Sequence, residues 1–399
     1  VSTDADQRAF SMGTLVRKWR EGDRRYFRYL SDGPTTNTVS WLSGAYATTV
    51  DNAGIIPLQF HTHSLHQEGL DQFRRGMQQS LALNTRLFGP LAHDTLKLVE
   101  FPANSGSHAT LNGNLIPTSE AYLLSDVDHT DPEAFNVPFF VGAHEVVHYW
   151  WGHRVDPADV PGGKAITEGL ADFLAIQTVR ETHGDDFAAA MIRRWRELYF
   201  RGRAGRGNEA PLNEAPLNDD MDYLNYRKSA LAFHGLAGYW GEDRLYAALA
   251  DFEQRFRHAP PPYATMDDMV ATLRAAAPDS LQYLVDDYFT TITLFDNAVE
   301  DATISPTEDG RFAIDLRFRM DKFRADAKGQ KTPVPVADYL DVGFYAGAEL
   351  LERKRIKVTQ QGNKLRFILS ERPDRVVLDP DLLLFAPSVA ANSFALLPE

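Results

Sequence analysis

Residues His144 to Asp172 read HEVVHYWWGHRVDPADVPGGKAITEGLAD, and this stretch decides the fold. Its first five residues fit H-E-x-x-H, in which two imidazoles four residues apart on a helix point the same way and can share one metal ion. A catalytic zinc takes three protein ligands and keeps its fourth position for water, so His144 and His148 need a third donor. Glu168 supplies it. It follows a turn-rich connection (Asp156-Pro157, then Pro161-Gly162-Gly163) and stands near the start of a second helical run, ITEGLADFLAIQTV, which can fold back beside the first. Glu145 lies about 100° round the helix from His144. It is therefore beside the metal, where a carboxylate takes a proton from zinc-bound water and passes it to a leaving amine. Asp172, one turn beyond Glu168, is placed to hold the far nitrogen of a ligating histidine. Apolar flanks (Phe139, Phe140 and Val141 before, Tyr149, Trp150 and Trp151 after) bury the first helix. Burying three ionisable groups without a partner is costly, and a metal removes that cost.

Composition narrows the function further. The 399 residues suffice for two or three domains and carry the apolar fraction of ordinary globular proteins. The formal charge of -14 argues against a nucleic-acid partner, which requires clustered excess Lys and Arg. With no cysteine there are no disulfides and no thiolate ligands, so metal chemistry rests on His and carboxylate. No apolar run is long enough to span a bilayer, and VSTDADQRAF lacks the basic and apolar regions of a signal peptide. The expectation is a soluble chain, as given, that can be a segment of a longer one.

HEVVHYWWG followed by TEG resembles the M1 aminopeptidases, gluzincin peptidases whose pattern is H-E-x-x-H, W-x-G and a later Glu-Gly pair. The interval Tyr149–Thr167 is one residue longer than in that family, and WWGH replaces W-x-G-N. In both respects the stretch is more similar to the M1-like peptidase domain fused to the permeases of some bacterial ABC transporters. The resemblance implies a single Zn2+ held by His144, His148 and Glu168, with Glu145 as general base. It places Tyr226, in YRKSA, at the family tyrosine that donates to the developing oxyanion, though Tyr223 and Tyr226 are also at the spacing of core aromatics. Ser229 stands where the family has Gly. The segment Ala109 to Glu120, ATLNGNLIPTSE, occupies the place of the family's G-A-M-E-N substrate strand, which makes Asn112, Gly113, Asn114 and Glu120 candidate substrate contacts. An edge strand of this kind pairs with an extended peptide by main-chain hydrogen bonds. Leu111 falls at the family glutamate that binds the substrate's α-amine, which implies weak dependence on a free N-terminus.

The rest of the chain reads as strands from about Arg25 to His63, a helix from about Gln67 to Phe88, and a strand in TLKLVEFP. His61, His63 and His66 sit at a strand end, where their side chains need not converge, and read as a polar turn; His108 likewise is no ligand. Helical runs fill the region after Glu168, interrupted by RGRAGRGNEAPLNEAPLN, a loop whose arginines Arg201, Arg203 and Arg206 are expected in solvent. From about Ile292, strands separated by turns at EDG, QQGN and RPD signal a β-sandwich.

The expected fold is α+β: a thermolysin-like catalytic domain, with a mixed-sheet lobe and an α-helical lobe, followed by a C-terminal β-sandwich. Residues 1–134 form the N-terminal β-rich region and α/β lobe, 135–290 the α-helical zinc-binding lobe, and 291–399 the sandwich. The expected function is zinc-dependent hydrolysis of peptide bonds; the alternative is a non-catalytic, zinc-containing peptide-binding module associated with a transporter. A purely structural zinc fills its fourth position with protein and has no use for Glu145 or Tyr226, which favours the enzyme. The transporter-linked resemblance implies an extracytoplasmic location, tethered to an ABC permease through a longer parent chain.

Overall fold

Leu58, Phe60, Leu96, Leu98, Val99, Leu115 and Ile116 are all buried and build the sheet that carries the site. The computed structural model describes residues 1–31, 38–67, 69–125 and 127–396; the side chains of Arg206 and Asp219 lie outside the described residues. The four strands are β1 (Ala47–Asp51), β2 (Leu58–Thr62), β3 (Leu96–Phe101) and β4 (Leu115–Ser119), hydrogen-bonded in that order. β1 runs antiparallel to β2, whereas β2, β3 and β4 are parallel. β3 and β4 are buried almost end to end, the near-continuous apolar pattern of parallel strands covered on both faces. Parallel neighbours require a crossover. Between β2 and β3 it is helix α1 (Leu70–Phe88), which buries Leu70, Phe73, Met77, Leu81 and Phe88 at the predicted helical spacing.

The two helices of the central stretch are α2 (Val137–Val147) and α3 (Gly163–His183). α1 and α2 approach so closely that a Cβ on Gly76 would lie 2.1 Å from the Phe139 carbonyl oxygen, and one on Gly142 2.4 Å from that of Phe73. Ser80 Oγ donates to the Ala143 carbonyl across the same contact, at 2.8 Å. Two missing side chains thus set the depth of α2. Upstream, Arg24–Leu30 is the centre of a three-stranded sheet with Ser2–Asp4 and Thr14–Glu21, and Arg8–Ser11 pairs with Trp41–Gly44. The buried Lys97 ammonium ties this region to β3 by donating to the carbonyls of Ser11 and Gly13, at 2.7 and 2.6 Å.

Contacts divide the chain into two compact units, Val1–Arg194 with Tyr246–Thr272, and Trp195–Leu245 with Leu273–Glu399. The second unit contains two antiparallel sheets. In the first, β6 (Phe312–Ala325) pairs with β5 (Thr293–Pro306), β7 (Lys331–Val334) and β10 (Gly362–Leu369). In the second, β8 (Asp338–Ala346) pairs with β9 (Glu349–Val358) and β11 (Arg375–Leu378), and β11 pairs with β12 (Ser393–Ala395). Phe344 of β8 and Phe367 of β10 meet with ring centroids 5.0 Å apart, joining the two faces as in a sandwich. Helix Asp185–Arg206 runs on through Arg201 and Arg203, which the Gly- and Pro-rich pattern had assigned to a loop. Arg201 pairs with Glu197 one turn earlier, at 2.5 Å, and Gly202 leaves room for the Tyr223 ring. Arg203 is not in solvent, since its Nε lies 2.5 Å from Glu209. Among the described residues no helix is long and apolar enough to cross a membrane. The architecture is α+β, with a sheet region, a helical region and C-terminal strands.

Candidate functional site

α2 is started by Asn136, whose side-chain oxygen accepts from the Phe139 N–H at 3.2 Å, and by Pro138 in its first turn. It ends at His148, after which Trp150 and Trp151 are fully buried. One turn of α2 therefore presents His144 and His148 on one face, and α3 brings Glu168 to meet them. His144 Nε2 and His148 Nε2 are 3.1 Å apart, and each is 3.3 Å from Glu168 Oε2. The centre of that triangle is about 1.9 Å from each atom, close to the roughly 2.0–2.1 Å bonds of zinc to nitrogen and carboxylate oxygen. Two imidazoles and one carboxylate are also the donor set of one class of catalytic zinc site. The residues present fit the ion.

The far nitrogens are held as well. Asp172, 1 % exposed, places Oδ1 2.9 Å from His144 Nδ1. The Trp151 carbonyl, which can only accept, lies 3.1 Å from His148 Nδ1, so that nitrogen carries the proton. Both Nε2 lone pairs are thereby directed at the centre of the triangle.

The charges reinforce one another. Burial by itself pushes His144 down, but the Asp172 and Glu168 carboxylates outweigh it and raise the imidazole to about 10. His148 is raised the same way, with burial overcome chiefly by Glu168. Glu168, which burial pushes up, is held well below the usual carboxylate range by the two imidazoles. The negative charge that favours protons here also favours a cation, whose binding would release those protons.

Glu145 is 5 % exposed, and burial raises its carboxyl against the pull of His148 and His144. Its carboxylate accepts the Leu111 main-chain N–H. The Leu111 carbonyl accepts from His153 Nε2 at 2.9 Å, and burial pushes His153 down to about 4, which keeps that ring neutral. Sequence reasoning missed this latch, although WWGH, with His153 in place of Asn, marked the position.

The other candidates fall in several places. Asn112, Gly113 and Asn114 form a tight turn, with Asn112 and Leu115 exchanging main-chain hydrogen bonds of 2.7 and 3.0 Å and Gly113 at φ 59°. Their side chains serve the fold: Asn112 donates to Ser40 Oγ, and Asn114 accepts from the Gly13 N–H. The ladder is confined to Leu115–Ser119, and residues 108–112 return along the side of β4 that faces away from β3. Glu120 opens the short helix Glu120–Leu123 and accepts from the Ala103 N–H at 2.9 Å. His61 stacks on Phe10 and lies 3.0 Å from Thr48 Oγ1, apart from the other two histidines of its cluster; His108 packs on Phe101. Tyr226 belongs to the second unit, where it is half-buried on a π-helical turn, Tyr223–Lys228, with the Arg227 guanidinium 5.5 Å from its ring centroid.

No protein-family profile matches the chain, and no curated protein matches it. Solved structures do. Aminopeptidase A of Legionella pneumophila, in complex with aspartic acid, is 18% identical with a TM-score of 0.64, over 95% of this chain and 42% of that one. An M1 zinc metallopeptidase from Deinococcus radiodurans is 15% identical with a TM-score of 0.56, over 72% of this chain and 62% of that one. A variant of the latter protein, bound to a Tyr-Ser-Ala substrate, is 14% identical with a TM-score of 0.54 over the same shares. These likenesses show the α+β fold of M1 aminopeptidase structures. The chain spans less than two thirds of the length of each of these proteins.

Proposed function

We propose that this chain is a zinc-dependent peptidase that hydrolyses peptide bonds. The observation that carries the reading is the convergence of His144, His148 and Glu168 on one point with the buried carboxylate of Glu145 beside it. A bound Zn2+ would supply Lewis acidity, lowering the pKa of its water and polarising the scissile carbonyl. Glu145 is the group placed to take a proton from the attacking water and return it to the leaving amine, its raised pKa suiting both tasks. The Leu111 N–H keeps the carboxylate oriented, while Asp172 and the Trp151 carbonyl keep the two imidazoles in the tautomer that leaves Nε2 free. The resemblance of YRKSA to the M1 segment assigns Tyr226 the role of donor to the developing oxyanion, a contribution of about 2 to 4 kcal/mol. Leu111 is buried and apolar and offers no carboxylate to a substrate amine.

The test is digestion of a mixed peptide library containing N-acetylated members, with products read by mass spectrometry with and without a chelator. Chelator-sensitive cleavage that includes acetylated peptides is expected. Glu145→Gln retains zinc and loses turnover, and Tyr226→Phe lowers kcat about a hundredfold with KM little changed. Products unaffected by the chelator, or loss of zinc from Glu145→Gln, overturn the reading. The transporter-linked resemblance extends the proposal to an extracytoplasmic site of action beside an ABC permease. Recovery of the parent protein in the cytoplasmic fraction would rule that out.

A further inference from the structure

Outside this centre, one imidazole and two carboxylates converge in the first unit: His66 from the turn after β2, Glu100 from β3, and Glu120 from the helix after β4. His66 Nδ1 is 2.7 Å from Glu100 Oε1 and 3.7 Å from Glu120 Oε2. Each carboxylate is anchored by its other oxygen to the main chain. Glu100 Oε2 accepts from the His63 N–H at 3.0 Å, and Glu120 Oε1 accepts from the Ala103 N–H at 2.9 Å. The free oxygens are therefore turned toward the imidazole by backbone the chain has already ordered, which is how metal sites fix their ligands. The Glu100 side chain is only 6 % exposed, and those of Glu120 and His66 are 25 and 18 % exposed. Among the described residues neither carboxylate has a Lys or Arg partner, so one imidazole faces two negative charges in a largely buried place. A buried carboxylate without full compensation is costly.

We propose that His66, Glu100 and Glu120 form a second divalent-cation site, separate from the His144–His148–Glu168 centre. Ligand atoms on a tetrahedral zinc lie about 3.3 Å apart at bond lengths of roughly 2.0–2.1 Å, and the separations of 2.7 and 3.7 Å stand on either side of that value. Small side-chain rotations suffice to admit the ion. One nitrogen and two carboxylate oxygens suit Zn2+ or Mn2+, whereas Ca2+ takes six to eight oxygens. Bound there, the cation ties the turn before α1 and the helix after β4 to the end of β3.

The experiment is a metal count on the chelator-stripped chain after equilibrium dialysis against micromolar Zn2+, with a thermal melt of each variant to verify folding. The wild type holds two ions per chain. Glu120→Gln and His66→Asn each hold one, Glu168→Gln holds one, and Glu120→Gln with Glu168→Gln holds none. His66→Asn leaves both carboxylates in place and decides the matter if Glu120→Gln does not fold. A single ion in the wild type that Glu168→Gln removes overturns the proposal, as does a second ion that survives both Glu120→Gln and His66→Asn. Failure of the first centre has a different signature, a count that Glu168→Gln leaves unchanged.

Discussion

Asp172 touches no substrate in the proposed chemistry; in that proposal its contact with His144 would set how well the imidazole binds a cation. Its carboxylate lies 2.9 Å from Nδ1, and its negative charge makes the opposite nitrogen a better donor. Asp172→Asn keeps the shape and removes the charge, so zinc affinity should fall about 10- to 100-fold. Titration against a competing chelator measures it, and an unchanged affinity would reassign Asp172 to packing. This residue was legible in the sequence because one helical turn separates it from Glu168, and the helix period is local information. The Leu111 amide that holds Glu145 was not legible, since a main-chain N–H has no residue signature and the contact spans a long stretch of chain. His66 was seen in H-x-H-x-x-H but grouped with its neighbours in sequence. Its partners in space, Glu100 on β3 and Glu120 in the short helix after β4, are brought alongside only by the β2-α1-β3 crossover and the parallel pairing of β3 with β4.

At the scale of elements, the seating of α2 against α1 controls where the two imidazoles stand. Gly142 lies against the Phe73 carbonyl, and a Cβ there at 2.4 Å is closer than real Cβ contacts allow. Because the atom it meets is backbone, relief requires the helices to separate. Gly142→Ala should therefore cost about 1–3 kcal/mol and weaken zinc binding along with stability. Gly205→Ala is the comparison: it meets nothing within 4 Å and should be neutral or stabilising, by about 0.4–1 kcal/mol where the backbone suits alanine. Paired thermal melts and zinc titrations check both, and equal behaviour of the two variants would refute the account of the α1–α2 contact. The helical period revealed α1 from Leu70 to Phe88, but not that its glycine sets an interhelical distance. The strand Thr14–Glu21 escaped the sequence reading for another reason. TLVRKWRE is exposed along nearly its whole length, so no face is apolar and no alternation appears. Its pairing with Arg24–Leu30 even sets Arg17 opposite Arg28 and Arg20 opposite Arg25, like charges that local preference disfavours.

For the whole molecule, alternating burial along β6 and the turn residues between strands made the C-terminal sandwich readable, because each strand signals its own inward face. The proposed domains at 1–134, 135–290 and 291–399 follow changes of local pattern. The packing units instead place Trp195–Leu245 with the C-terminal strands, a grouping that depends on contacts distant in sequence. Within that unit Lys228, fully buried, is satisfied by Glu209, itself linked to Arg203 and Tyr199. None of those pairings follows from spacing alone. Net charge, by contrast, needs no fold to be read. At -14, with a sequence pI near 5.3, the chain sets up a negative field that draws cations and cationic peptides toward it. If the chain is a peptidase, a lysine-bearing peptide should have a kcat/KM about tenfold above that of its glutamate-bearing twin at low salt, because attraction raises the encounter rate. Screening tightens from a Debye length of roughly 30 Å at 0.01 M salt to about 3 Å at 1 M, so the advantage should shrink toward unity over that range. Kinetics on the two peptides across the salt series decide the point. A preference that persists unchanged at high salt would locate discrimination in direct contacts with the substrate side chain, where screening is weak, rather than in the field of the whole chain.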